Sequence, residues 1–137
     1  MALPNGAGGY QVGDGNLSEI RFFAQPAPAT VAAGDATLTA AQLATKIVLG
    51  SPGTAAAAYT LPTGALMDNA FPSMKVDSAF DFSVVNVDGS SSGVITMTAG
   101  TGWTLVGLAT VVATAGTAQT FRARKTGTAT WSLYRIA

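Results

Sequence analysis

The chain contains no cysteine and no histidine. Without thiols it can build neither disulfides nor thiolate metal sites, and without imidazole the common nucleophile–base pairs and most transition-metal sites are also excluded. Charged residues make up only 10% of the 137 residues, well below the roughly 25% of a typical soluble domain. The composition therefore predicts a protein that is not an enzyme, binds no cofactor, and has a surface built largely from threonine, serine, asparagine and backbone.

The few charges are unevenly placed along the chain. All seven acids lie at or before residue 88, and four of the seven bases, Arg122, Arg124, Lys125 and Arg135, lie after residue 120. The net charge is zero, so bulk attraction to nucleic acid or to an anionic membrane is not indicated. A chain of this kind can dock head to tail or on an acidic partner. Alternatively, the two sets of charges intermix within the fold.

A long tract without charge separates Asp88 from Arg122. Low charge density lowers the desolvation cost of packing against other chains, so the tract favours a role in assembly; the alternative is a neutral, threonine-rich β-protein. Its most apolar part, residues 103–116, is broken by Gly107 and is shorter than the roughly 20 residues a membrane-spanning helix needs. The N-terminus has no basic or apolar region typical of a secretory signal, which predicts synthesis in a cytoplasm.

Alternating apolar residues predict β-strands through most of the chain. Phe80, Phe82 and Val84 fall on one face of an extended segment, and we expect residues 80–87, 93–98 and 103–106 to form an antiparallel meander. A closing hairpin is predicted from 118–124 and 130–136, with Gly127 at positive φ in its loop. Its second strand carries apolar residues on both faces, so it should be central or covered by a neighbour. Further strands are predicted at residues 18–25, 29–33, 47–49, 57–61 and 108–113.

Two short helices interrupt the strands. Thr39 and Gln42 match a capping box, which predicts a helix to about Lys46 with Leu43 facing inward. Residues 63–70 can form two helical turns, with Leu66 and Met67 against a sheet. The whole pattern predicts an all-β fold, a jelly-roll-like β-sandwich or barrel with one or two short helices, in a single domain over residues 18–137. No tandem repeat is apparent.

Residues 1–17 are rich in glycine and predict a flexible N-terminal arm. Tyr10, Val12 and Leu17 give this arm apolar groups that could order against a neighbouring subunit. The alternative is a frayed terminus.

Few residues have side chains that could take part in catalysis, bind a metal ion or stack on a sugar. Asp77, Asp81 and Asp88 could in principle supply paired carboxylates for glycoside hydrolysis, but strand alternation and turns are the more typical context for them. Acidic turns at residues 14–16 and 88–89 lack the spacing of a calcium loop. Four aromatic residues could stack on sugars or fill the core: Tyr59, Trp103, Trp131 and Tyr134.

Several segments together resemble the small capsid decoration or cement proteins of tailed bacteriophages. They are residues 36–43, 59–64, 80–86, 98–104, 121–127 and 131–135, and the resemblance spans roughly residues 30–137. It implies a β-rich, jelly-roll-like protein that sits outside an icosahedral shell and clamps neighbouring capsomers, usually as a dimer or trimer. The family supplies no catalytic residues.

We therefore expect a virion structural protein on the capsid exterior, made in the host cytoplasm. Its expected partners are the major capsid protein and further copies of itself, without nucleic acid or membrane. Contacts are expected from the arm and from Arg122, Arg124, Lys125 and Arg135. The alternative is a carbohydrate- or receptor-binding β-module of a phage fibre or tail.

Overall fold

The computed structural model describes residues 22–88, 93–113 and 116–137. They form a mostly β structure of two sheets and two short helices, which confirms the all-β prediction at this level. Sheet A has six strands in the order β1-β3-β5-β9-β10-β7, and sheet B has four in the order β2-β4-β6-β8. The strands are β1 Ala29–Val31, β2 Ala36–Thr37, β3 Ile47–Gly50, β4 Ala57–Thr60, β5 Ala79–Asn86, β6 Ile95–Thr98, β7 Trp103–Val106, β8 Thr110–Val111, β9 Thr117–Gly127 and β10 Thr130–Arg135.

Helix α1, Ala40–Ala44, begins at the predicted capping box. The Thr39 hydroxyl accepts a hydrogen bond from the Gln42 N–H at 3.1 Å, and the Gln42 side chain accepts one from the Thr39 N–H at 2.8 Å. These bonds satisfy two amides that a helix start otherwise leaves without partners. Leu43 is buried as predicted.

Helix α2, Gly64–Ala70, begins at Thr63, whose hydroxyl accepts from the Leu66 N–H. Met67 is buried as predicted, but the prediction for Leu66 is wrong, because its side chain is 55% exposed. Adjacent helical residues point about 100° apart, so on this short helix only the side that carries Met67 faces the core.

Successive strands alternate between the two sheets from β1 to β8. The predicted meander is therefore wrong: β5 lies in sheet A, β6 in sheet B, and β7 at the far edge of sheet A, parallel to β10. Alternation along a strand shows which side chains are buried, but it does not determine which strand lies beside it.

Because of this alternation, every second strand of the chain pairs with the preceding strand of its own sheet over the first six strands. In sheet A, β1, β3 and β5 are parallel neighbours, and in sheet B the same is true of β2, β4 and β6. Five of the eight strand pairs are parallel. The two-sheet architecture agrees with a sandwich, but the jelly-roll topology, which is built from antiparallel Greek keys, is not confirmed.

The core lies between the two sheets. Phe82 of β5 and Phe121 of β9 are opposite each other in sheet A, with ring centroids 5.8 Å apart. Sheet B contributes Tyr59 and Met97, both fully buried. Strands β3, β4, β5 and β6 alternate buried and more exposed residues over most of their length, as a sheet with one face on a core requires.

The predicted closing hairpin is confirmed, since β9 and β10 pair antiparallel. Its loop differs from the prediction, because the positive φ falls at Ala129 (53°) and not at Gly127. The Ala129 N–H donates to Asp68 of α2 at 2.8 Å, so a tertiary contact holds this residue in place. Strand β10 lies one position from the edge of sheet A, between β9 and β7.

The predicted strand at residues 18–25 is wrong over 22–25, which belong to no strand. Phe22 and Phe23 are 90% and 82% exposed. Residues 18–21 and the predicted arm, 1–17, lie outside the described residues.

Candidate interaction surfaces

The predicted contact residues do not form one patch. Arg122 and Arg124 lie on β9 and point to the outer face of sheet A, while Lys125 points to the opposite side. Arg135 ends β10 and is exposed. Tyr10, Val12 and Leu17 lie outside the described residues.

Arg122 forms a bidentate ion pair with Asp81 across the sheet. Its Nε and Nη2 donate to the two carboxylate oxygens of Asp81 at 2.7 and 2.9 Å, because Asp81 of β5 lies directly opposite in the strand register. These hydrogen bonds, followed by the charge attraction, raise the pKa of Arg122 and lower the pKa of Asp81, although burial of Asp81 partly opposes the second shift. Both side chains are about half exposed, so the pair contributes little to stability.

Arg124 contacts two residues, Asp77 in the turn before β5 and Tyr134 on β10. Its Nη2 contacts the Asp77 carboxylate, and its Nη1 lies 3.5 Å from the Tyr134 hydroxyl. The hydrogen bond to Tyr134, and then the hydrogen bond and charge of Asp77, raise the pKa of Arg124.

Lys125 belongs to a largely buried polar cluster. Its Nζ lies 3.0 Å from Asp68 Oδ1, and the two side chains are only 14% and 18% exposed. Asp68 also accepts from Trp131 Nε1 at 3.0 Å and from the Ala129 N–H at 2.8 Å. Hydrogen bonding from Ala129, followed by that from Lys125 and Trp131, lowers the pKa of Asp68, against an opposing effect of burial. The cluster attaches α2 to the closing hairpin.

Acidic and basic residues therefore intermix within the fold, which was the alternative to docking on a partner that the charge distribution left open. Arg122, Arg124 and Lys125 each pair with an acid of the same chain. Their expected contact with an acidic partner stays a prediction, and it would have to compete with these pairs. Opposite charges far apart in sequence meet because β5 and β9 are neighbours and α2 packs on the hairpin.

The aromatic residues considered for sugar stacking are mainly core. Tyr59, Trp103 and Trp131 are buried, and the two tryptophan rings pack with centroids 5.6 Å apart. Trp103 Nε1 donates to the Pro62 carbonyl at 2.6 Å, which satisfies its only polar atom inside the protein. Tyr134 is half-buried beside Arg124. These positions favour the core interpretation over a stacking platform.

Two of the three carboxylates considered for catalysis, those of Asp77 and Asp81, form ion pairs. Asp77 and Asp81 each face an arginine, and the Asp88 N–H donates to the Asn86 side chain. Within residues 22–88, 93–113 and 116–137, no three acidic residues gather where they could hold a metal ion. The candidate turn at residues 14–16 lies outside the described residues. In that same part of the chain, no helix is long and apolar enough to cross a membrane.

The strands of sheet B present an outer face built mainly of threonine, which the sequence analysis did not predict. The exposed Asp35, just before β2, borders this face, and its carboxylate accepts a hydrogen bond from the Ala58 N–H at 2.8 Å. Thr37, Thr60 and Thr98 align across β2, β4 and β6, and the Thr60 and Thr98 hydroxyls are 2.8 Å apart. Ala58, Thr96 and Thr110 align in a second row. We call these six residues the threonine face. Threonine at alternating positions of β6, Thr96 and Thr98, was the available sequence signal, but only the strand pairing joins the rows.

A second uncovered surface is a groove between the start of α1 and α2, with a volume of about 490 Å³. Leu38, Ala40, Pro62, Leu66 and Ala70 line it, together with uncharged polar side chains. The sequence analysis placed Leu66 in the core, and for that reason it did not predict an apolar groove here.

Comparison with known proteins found no matching family model, no similar curated protein and no solved structure of similar fold.

Proposed function

We propose that this protein is a virion structural protein that binds the outside of an icosahedral phage capsid and cements neighbouring major capsid proteins. The observation that carries the proposal is the threonine face, since none of the four strands of sheet B contains a charged residue. The sequence resemblance to phage decoration proteins supports the same conclusion. The protein is made in the host cytoplasm and acts on the capsid exterior.

The distribution of charge supports contact through sheet B. Charged side chains of the strands all belong to sheet A: Asp81, Arg122, Arg124, Lys125 and Arg135. Docking sheet A would require desolvating ion pairs that are already satisfied. Threonine hydroxyls cost less to bury, because they can bond a partner's backbone while their methyl groups add apolar contact.

An exposed sheet face suits a protein that repeats over a lattice. If copies are joined as a dimer or trimer, each needs only a modest contact area, because linked contacts reinforce one another. The proposal does not require the jelly-roll topology expected of the family, because the contact uses the face of one sheet. Self-association as a dimer or trimer is part of the proposal.

The test compares two threonine-to-lysine variants for binding to capsids of the same virion. Thr96→Lys places a charge in the centre of the threonine face, on β6. Thr104→Lys makes the same change at an exposed position of β7 in sheet A and is the matched control. Co-sedimentation with capsids should fall at least about tenfold for Thr96→Lys, because an unpaired charge would be buried, and should be unchanged for the control.

Cryo-microscopy of purified particles supplies the independent observation. We expect density for the chain on the outer surface of the shell, with sheet B toward the capsid. A chain that stays in the lysate and is absent from purified virions would refute the proposal.

A further inference from the structure

Two uncovered apolar features lie at opposite ends of α1. The groove opens beside its first residues, where Thr39 and Ala40 form part of the wall. The extended segment 22–28 lies at its other end, where Gln25 Nε2 donates to the Thr45 carbonyl at 2.6 Å. Burying apolar surface is favourable, so each feature is a candidate for contact with an apolar partner.

The segment presents two adjacent phenylalanine rings to solvent. Phe22 and Phe23 are the two most exposed large apolar residues among those described. Pro26 follows Gln25, and a residue before proline is restricted to extended conformations. Gln25 therefore anchors the segment on the C-terminal side of the two rings, and both rings project into solvent.

We propose that the Phe22–Phe23 segment of one copy of this chain inserts into the groove of a second copy, and that a two-fold exchange of these segments forms a homodimer. The groove wall is apolar and contains no charged residue, which matches two phenylalanine rings. This inference gives the proposed self-association a pair of complementary surfaces. It does not depend on binding to a capsid.

The buried area favours an exchange, in which two segments enter two grooves, over the insertion of a single segment into one groove. A buried phenylalanine removes roughly 150–250 Å² from water, so one segment buries roughly 300–500 Å² from its rings. Stable interfaces bury about 1,200–2,000 Å² in total. Two segments bury roughly 600–1,000 Å² from their rings. The two groove walls bring the total close to the lower end of that range, whereas a single insertion stays well below it. In a reciprocal arrangement both segments and both grooves are occupied, so the dimer does not extend into a fibre.

The anchor favours a second copy over the same copy as the source of the rings. Gln25 is held at the C-terminal end of α1, and the groove lies beside the N-terminal end of this helix. For both rings to enter the groove of their own chain, the segment would have to turn back along α1. Instead, both rings project into solvent.

Cysteine trapping tests the contact directly, because the chain has no native cysteine. The full-length Phe23→Cys variant is mixed with the full-length Asn69→Cys variant, which places the second thiol at the groove. Mild oxidation should give a covalent heterodimer as the main product. Replacing Asn69→Cys with Val76→Cys, an exposed site outside the groove, should reduce that product at least about tenfold.

Affinity supplies the second readout, by analytical ultracentrifugation over a range of concentrations. Leu66→Asp and the double variant Phe22→Ser with Phe23→Ser should each weaken dimerisation at least about thirtyfold, as expected for central apolar contacts. Leu108→Asp is the matched control, because Leu108 is 64% exposed and lies outside the groove. Circular dichroism should show the same β-signal for all variants, since the substituted side chains are exposed.

The outcomes separate the inference from the broader proposal. A wild-type chain that is monomeric at all concentrations overturns both the exchange and the proposed self-association. An oligomer that neither Leu66→Asp nor the phenylalanine variant weakens overturns the exchange alone. A disulfide that forms readily within one chain carrying both Phe23→Cys and Asn69→Cys, with no heterodimer from the mixed single variants, also overturns it.

Discussion

Sheet A and sheet B use the same strand chemistry on their inner faces and different chemistry on their outer faces. Inside, both supply large apolar residues, such as Phe82 from sheet A and Tyr59 from sheet B. Outside, sheet A carries paired charges such as Asp81 with Arg122, whereas sheet B carries aligned threonines. A core needs only matching apolar surface, so the outer faces are free to diverge.

The difference shows that the charged residues of the strands are confined to sheet A. The ion pairs of sheet A join segments of one chain, and the most buried of them, Lys125 with Asp68, attaches a helix to a hairpin. Sheet B contributes no charge to such links. A charged residue near a candidate surface is therefore a poor guide to partner binding until its intramolecular partners are known.

The largest expected effect comes from the buried polar cluster on the sheet A side. Asp68→Ala should lower the free energy of unfolding by about 3–5 kcal/mol, because it leaves Lys125 without its acid and Trp131 Nε1 and the Ala129 N–H without an acceptor. Chemical denaturation of the purified chain measures this. Asp81→Ala is the control and should change stability little, since its pair is exposed. Equal losses from both variants would show that burial does not separate the two pairs.

Asn86 joins the two sheets, and its removal should have the next largest effect. It is fully buried at the end of β5, and its Nδ2 donates to the Gly93 carbonyl before β6 and to the Val112 carbonyl after β8, at 2.7 and 3.0 Å. Asn86→Ala leaves these carbonyls without that donor and should cost about 2–3 kcal/mol by thermal or chemical unfolding. A cost below about 1 kcal/mol would mean that water replaces the amide at this junction.

Acid should remove the contribution of Asp68 selectively. The pKa of Asp68 is lowered in the folded state, so its carboxylate stabilises the protein above the unfolded-state pKa of about 3.9, and this contribution is lost as the pH falls through the lower folded-state value. The stability difference between the wild type and Asp68→Asn should therefore be constant near neutral pH and shrink below about pH 4. A difference that grows on acidification would contradict the assignment.

The smallest effect is expected in sheet B, at Tyr59. Its hydroxyl is buried, and no hydrogen bond of normal geometry satisfies it; burial raises its pKa, although the backbone at Ser51 acts in the opposite direction. Tyr59→Phe removes this polar atom and keeps the ring, so stability should stay within about 1 kcal/mol or rise slightly. A loss of more than about 1 kcal/mol by chemical denaturation would show that the contact with Ser51 is a genuine hydrogen bond.

Local signals in the sequence predicted local structure well. The capping box at Thr39 needs only four residues, and the closing hairpin needs only a short connection, so both are confirmed. Apolar residues on both faces of the last strand predicted a central strand, and β10 has three consecutive buried residues, Trp131, Ser132 and Leu133. The prediction was wrong for Leu66 and for residues 22–25, because apolar character alone does not reveal whether another surface covers a side chain.

The candidate surfaces were less predictable than the fold class. Arg122 and Asp81 are 41 positions apart in sequence, and Thr60 and Thr98 are 38 apart. Each pair forms because particular strands lie side by side, and no pattern within either segment specifies its neighbour.

By itself, the sequence determined the all-β class, the two short helices, the alternation within the central strands and the scarcity of charge, because these depend on composition and on periodicity within a segment. The tertiary structure alone decided that strands alternate between sheets, that charges are paired within sheet A, and that threonines align across sheet B. The physical reason is that side-chain alternation determines which way a strand faces, whereas the free energy of packing the entire core determines which strands meet.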